Sequence, residues 1–231
     1  MGDPMGRKTG GGGAKKPVHP GPELARIGLL CCAMALPSTR YEFRLRLSHV
    51  DRGIDWQGSA IAARHPSETA EHLMLRVLAY CLLFDERLEF GPGLCDPEAA
   101  DLWARDLTGQ ITTWVECGAA DPDKVRRVFL HHSAAQVHAV LVDPRRCDEL
   151  LSGVATWKKT PRGRAVLGVW MVDPTLLAQL AGREERRQTW NVTLVGDHAY
   201  IEIERAGGDA GSLCLDGPIA ASFPLDVPPG R

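Results

Sequence analysis

Residues 41–47, Tyr-Glu-Phe-Arg-Leu-Arg-Leu, alternate strictly between apolar and polar. Tyr41, Phe43, Leu45 and Leu47 fall on one side and Glu42, Arg44 and Arg46 on the other, the pattern of a half-buried strand. Asp51-Arg52-Gly53 is a turn signal, and a second strand over about 54–63 closes a hairpin. The period then lengthens. Leu73, Met74, Val77, Leu78, Cys81 and Leu82 recur at helical spacing to about Phe84. The helix is expected to open at His65-Pro66-Ser67-Glu68, with Ser67 as N-cap and Glu68 and Glu71 placing negative charge in the first turn.

Residues 102–107 fit a short strand or a turn of helix equally well. Ile111 to Cys117 is β-branched, aromatic and bounded by glycines, which predicts a strand. Asp121-Pro122 starts a helix running to about His132, with Asp as cap and Pro in the first turn. A buried strand over 137–142, a helix over 144–152, a strand over 165–172 and a helix over 174–181 follow. A hairpin of 189–195 and 198–204 turns at Gly196-Asp197. The resulting order, β-β-α-β-β-α-β-α-β-α-β-β, predicts an α/β domain with a mixed sheet flanked by helices.

Composition sets the limits of that domain. The 231 residues are 44% hydrophobic, normal for a globular chain. No apolar run reaches the ~18–20 residues of a membrane helix, so a membrane-spanning role is not expected. Residues 1–33 carry four consecutive glycines, scattered prolines and a net charge of +3. They cannot bury a core, and three readings stand: a disordered tail, a secretory signal, or an extension upstream of a true start at Met34. Residues 34–205 form one domain in this reading. Residues 206–231, rich in Gly, Pro and Asp, are expected to be a loose tail. Outside the first 33 residues the charge is −5, which argues against broad duplex binding through many phosphate contacts. Seven irregularly spaced cysteines without a CxxC pair give no zinc site and suit a reducing cytoplasm.

The chemistry lies in a few charged residues. Glu68, Asp101 and Glu116 fall near element ends. Carboxylates brought within a few Å suit Mg²⁺, which prefers oxygen ligands and keeps several waters. Glu116 ends an apolar strand beside a glycine, where sites of mixed sheets gather. Lys124, Arg127 and His131 share one helix face and could hold a phosphate near such an ion, or be a solvated surface. Lys158, Lys159, Arg162 and Arg164 beside Trp157 could grip single-stranded nucleic acid, or be a solvated loop. No GxSxG, GxxxxGK[ST] or GxGxxG is present.

Together, Val50-Asp51-Arg52-Gly53, Arg64-His65-Pro66-Ser67-Glu68-Thr69, Arg76-Val77-Leu78-Ala79-Tyr80, Asp101-Leu102-Trp103, Leu107-Thr108-Gly109 and Trp114-Val115-Glu116-Cys117-Gly118 resemble the bacterial YaeQ proteins. The resemblance spans about 34 to 204. It implies a restriction-endonuclease-like core of the PD-(D/E)XK superfamily, with an N-terminal and a C-terminal hairpin. By that likeness Asp101 is the first acid of the motif, Glu116 the second and Glu68 the helix acid, with Glu71 as substitute. The motif lysine is missing: Gly118 stands in its place, and Lys124 or Arg127 would supply the cation. The implied function is Mg²⁺-dependent nuclease-like cleavage of nucleic acid by a degenerate site. The alternative is a non-catalytic module that keeps the fold and binds nucleic acid or protein.

Overall fold

The structure is a computed structural model, and it describes residues 38–93, 96–157, 165–204 and 213–227. The basic cluster at 158–164 and the N-terminal readings, including the start at Met34, lie outside the described residues. The described residues all fall within one compact unit.

Ten strands and four α-helices alternate along the described chain. The strands are β1 (Thr39–His49), β2 (Ile54–Arg64), β3 (Leu88–Phe90), β4 (Leu102–Arg105), β5 (Ile111–Cys117), β6 (Gln136–Leu141), β7 (Ala165–Val172), β8 (Arg187–Val195), β9 (His198–Glu204) and β10 (Leu213–Val227). The helices are α1 (Ala70–Leu82), α2 (Pro122–His131), α3 (Pro144–Ala155) and α4 (Pro174–Ala181). One mixed sheet holds all the strands in the order β2-β1-β8-β9-β10-β7-β6-β5-β4-β3. Its edge strands β2 and β3 approach each other, so the sheet nearly closes into a barrel.

The apolar pattern explains the layers. The inward residues of β1, β2, β8 and β9 join α1 and α4 in one buried cluster. The other face of β5, β6 and β7 packs on Val125, Val128 and Phe129 of α2 and Leu150 of α3 in a second. Helix α1 buries every residue from Leu73 to Leu82, Arg76 included. A helix apolar nearly all round must be surrounded; here β2, β5 and α4 enclose it. Helices α2, α3 and α4 all begin with Asp-Pro. The carboxylates of Asp121, Asp143 and Asp173 each accept a backbone N–H of the first turn.

Three expectations change. The cap of α1 is Thr69, whose hydroxyl accepts the His72 N–H at 3.1 Å. Ser67 instead meets the His65 ring. Residues 102–105 are a strand, and the short β3 beside it gave no sequence signal. Most consequentially, 213–227 is not a loose tail. Leu213, Leu215 and Ile219 alternate inward against exposed Cys214 and Asp216, which is strand patterning obscured by Gly217, Pro218 and Pro224. The first half of β10 pairs with β9 and the second half with β7. The register shifts between Ser222 and Leu225, the stretch that contains Pro224 and its missing N–H.

Candidate functional site

Strand β5 sends alternate side chains to opposite faces. Val115 and Cys117 enter the α1 cluster, while Trp114 and Glu116 face α2. At Gly118 the chain turns with φ +79°. This left-handed backbone favours glycine and opposes the lysine that the motif would put there. The carboxyl end of β5 is thus the place where groups from both faces of the sheet meet.

On the α2 side, Glu116 is buried. It accepts the Trp114 indole N–H at 2.6 Å and lies 2.8 Å from Lys124 Nζ. Lys124 also donates to the Ala99 carbonyl at 2.8 Å. Burial pushes the Glu116 carboxyl above its ordinary pKa, against the pull of Lys124 and Trp114. Glu116 thus receives a cation from the first turns of α2. Arg127 stays at the rim, 3.1 Å from Glu98, with both side chains largely exposed.

On the α1 side, Glu68 is only 2% exposed. Its oxygens take His72 Nδ1 at 2.8 Å, Arg76 at 3.2 Å and the His65 N–H at 3.2 Å. Burial works against the charged carboxyl, but His72 and Arg76 outweigh it and hold its pKa below the ordinary value. Burial likewise disfavours a charged His72, yet Glu68 and Asp101 prevail and raise its pKa. The second ring nitrogen of His72 reaches the Cys117 carbonyl at 3.3 Å and Asp101 Oδ1 at 3.7 Å. Arg76 has no exposure; it also bonds the Ala63 and Gly91 carbonyls and lies 3.7 Å from Asp101. Glu71, the substitute acid, is exposed.

Asp101 stands between the two sets. Its Oδ2 accepts the Cys117 N–H at 2.8 Å. Among the described residues no hydrogen bond reaches its Oδ1. A cleft of about 550 Å³ opens over these groups, lined among others by His72, Asp101, Glu116, Gly118, Lys124 and Arg127. Glu68 does not line it. Its oxygens are consumed behind the cleft, and His72 takes the facing position. No three His, Cys, Asp or Glu side chains among the described residues are arranged to hold a metal ion. The three-carboxylate set expected from the sequence is reduced to Asp101 and Glu116. Two carboxylates fit a hard ion that keeps several waters, and the unbonded Oδ1 of Asp101 is a donor of the right kind.

Sequence reasoning missed His72 and Arg76. A signal existed: Glu68, His72 and Arg76 recur every four residues, one polar line along an apolar helix.

The YaeQ protein family model matches residues 34–209. The chain belongs to the YaeQ family. It is 31% identical to the uncharacterized protein YaeQ of Escherichia coli K12 over 165 residues, covering 70% of this chain and 86% of that one. It is 30% identical to YaeQ of Salmonella typhi over 176 residues, covering 74% and 92%. The crystal structure of YaeQ from Xanthomonas axonopodis pv. citri superposes with a TM-score of 0.65 at 26% identity, over 83% of this chain and 99% of that one. YaeQ from Pseudomonas syringae shares the fold at 24% identity, with the same TM-score, over 80% and 95%. These YaeQ relatives are bacterial, and no helix among the described residues is long and apolar enough to cross a membrane.

Proposed function

We propose that this YaeQ protein is a Mg²⁺-dependent phosphodiesterase that cuts nucleic acid in the β5 cleft, on a degenerate PD-(D/E)XK, restriction-endonuclease-like core. The observation that carries the reading is the ion pair of Glu116 with Lys124 beside Asp101. An acid from each of two adjacent strand ends and a lysine on the second acid are the parts such a site needs, although the lysine arrives from a helix.

Asp101 and Glu116 would hold the ion, which when bound lowers the pKa of a water and stabilises charge on the phosphate. Lys124, on the Glu116 carboxylate, would donate an N–H to a phosphate oxygen or to the attacking water. Trp114 fixes that carboxylate from the other side. Glu68, itself bonded by Arg76, holds His72 with its second ring nitrogen on the Cys117 carbonyl and 3.7 Å from Asp101. Arg127 at the rim could steer a phosphate in.

The test is cleavage of end-labelled single- and double-stranded oligonucleotides by the purified chain with Mg²⁺ or Mn²⁺. Glu116→Gln is expected to lower the rate by about 10²-fold or more, the scale of losing one charge-stabilising group. Cleavage that survives the substitution overturns the reading. A second reading, a binding module without turnover, is favoured by one observation: Glu116 already has Lys124, and Glu68 already has Arg76 and His72. It requires that the unaltered chain bind nucleic acid or a protein partner and cleave nothing with either metal.

A further inference from the structure

A second cavity of about 500 Å³ lies at the other end of β5. It is lined by Arg105 from β4, by Gly109, Gln110 and Ile111 from the turn into β5, and by His131 to Ala134 from the end of α2. None of these lining residues is acidic. The nearby Asp106 is spent within its own turn, where it accepts hydrogen bonds from Thr108 and Gln110. The volume falls within the range of about 300–1,000 Å³ common to small-molecule sites.

Two features join this cavity to the cleft. Trp114 donates its indole N–H to Glu116 at one side, and on the other its ring stacks with His132, centroids 5.9 Å apart. Helix α2 runs between the two. Lys124 and Arg127 line the cleft, and His131, the next residue on the same face, lines the cavity. The seven-residue step from Lys124 to His131 spans roughly 10 Å along the helix. At the cavity wall the Arg105 guanidinium carbon lies over the Trp103 ring, 4.5 Å from its centroid. That ring in turn sits 6.5 Å from Trp114. An arginine held over an indole by cation–π attraction still has N–H donors to offer a phosphate, and its planar guanidinium can stack on a base.

We infer that the cavity seats a nucleotide of single-stranded nucleic acid next to the one in the β5 cleft, with Arg105 and His131 on its phosphate and the base in the pocket beside His132. The strand is then held along the Lys124–Arg127–His131 face of α2. A single strand is the form that suits few phosphate contacts, stacking rings and an acidic body. The identity of the ligand rests on the phosphodiesterase reading; the site itself rests on the cavity.

The experiment measures binding of a fluorescein-labelled oligothymidylate of about ten nucleotides to the full chain by anisotropy, in EDTA so that nothing is cut. The comparison is Arg105→Ala/His131→Ala, two exposed positions, with thermal unfolding as the check of fold. The double variant is expected to bind at least about tenfold more weakly. Its log–log salt slope is expected to be shallower by roughly 0.7 for each phosphate it no longer neutralises. Unchanged affinity and slope in the double variant, or no saturable binding by the unaltered chain, overturns the site. The two proposals fail separately. An unaltered chain that cleaves nothing, but whose binding depends on Arg105 and His131, keeps the site and loses the phosphodiesterase. A cleaving chain whose binding ignores both residues does the reverse.

Discussion

Gly118 shows how one backbone angle redistributes a site. With φ +79°, any side chain there is strained by about 1–2 kcal/mol. An added Cβ would meet His72 Cδ2 at 3.5 Å and Leu75 Cδ2 at 3.9 Å, both ordinary contacts, so the strain is in the backbone. Gly118→Ala is expected to lower the melting temperature by roughly 3–6 °C, as measured by circular dichroism. Gly118→Lys should lower it at least as far. A lysine variant as stable as the parent would refute the claim that the backbone at position 118 requires glycine. His138 on β6 makes a second residue-scale prediction. Burial, and then the charge of Arg52, push its pKa down to about 4. Its Nδ1 accepts the Trp170 indole N–H at 3.4 Å, and it packs where Gly168 has no Cβ. Well above pH 6.5 the ring is neutral in both folded and unfolded chains. As pH falls from about 6.5 to 4, the unfolded chain takes up a proton that the folded chain refuses. Stability is therefore lost in that window, up to roughly 3 kcal/mol. Urea midpoints across pH 4–7 should fall less steeply for His138→Gln than for the parent, and parallel curves would reject the assignment.

At the scale of elements, most of the fold was legible because the local signals were unopposed. Asp-Pro started three helices, and the apolar runs of 111–117 and 165–172 became strands at the expected bounds. The failures share one cause, long-range pairing that overrides local chemistry. β10 contains Gly217, Pro218 and Pro224, which read locally as loop, yet two ready-made edges, β9 and β7, supply its hydrogen bonds. Of the site, Asp101, Glu116 and Lys124 were legible from element ends and helix spacing. His72 and Arg76 were not singled out, because a polar residue within an apolar helix declares its partner only once the sheet has wrapped around it. Since β10 alone joins β9 to β7, a chain ending at residue 212 leaves two open-edged sheets. It is expected to lose cooperative unfolding and to aggregate, measured by light scattering and a urea titration. A soluble truncation with one sharp transition would show that the two halves hold together without it.

Over the whole molecule, two apolar clusters lie on either side of the β5–β7 part of the sheet. The proposed chemistry sits where β5 ends between them. Contacts distant in sequence dominate this arrangement: β1 pairs with β8, Glu42 opposite Arg187. Chains of that kind fold slowly, since loop closure precedes any gain from pairing. Synthesis runs from the N-terminus at roughly 5–20 residues per second, so the first hairpin leaves the ribosome well before its neighbour exists. During that delay the flank of β1 that β8 later covers stays bare. Arg40, Arg44 and Arg46, exposed on the reverse side, are the nascent hairpin's own safeguard, repelling another copy while the partner strand is still being made.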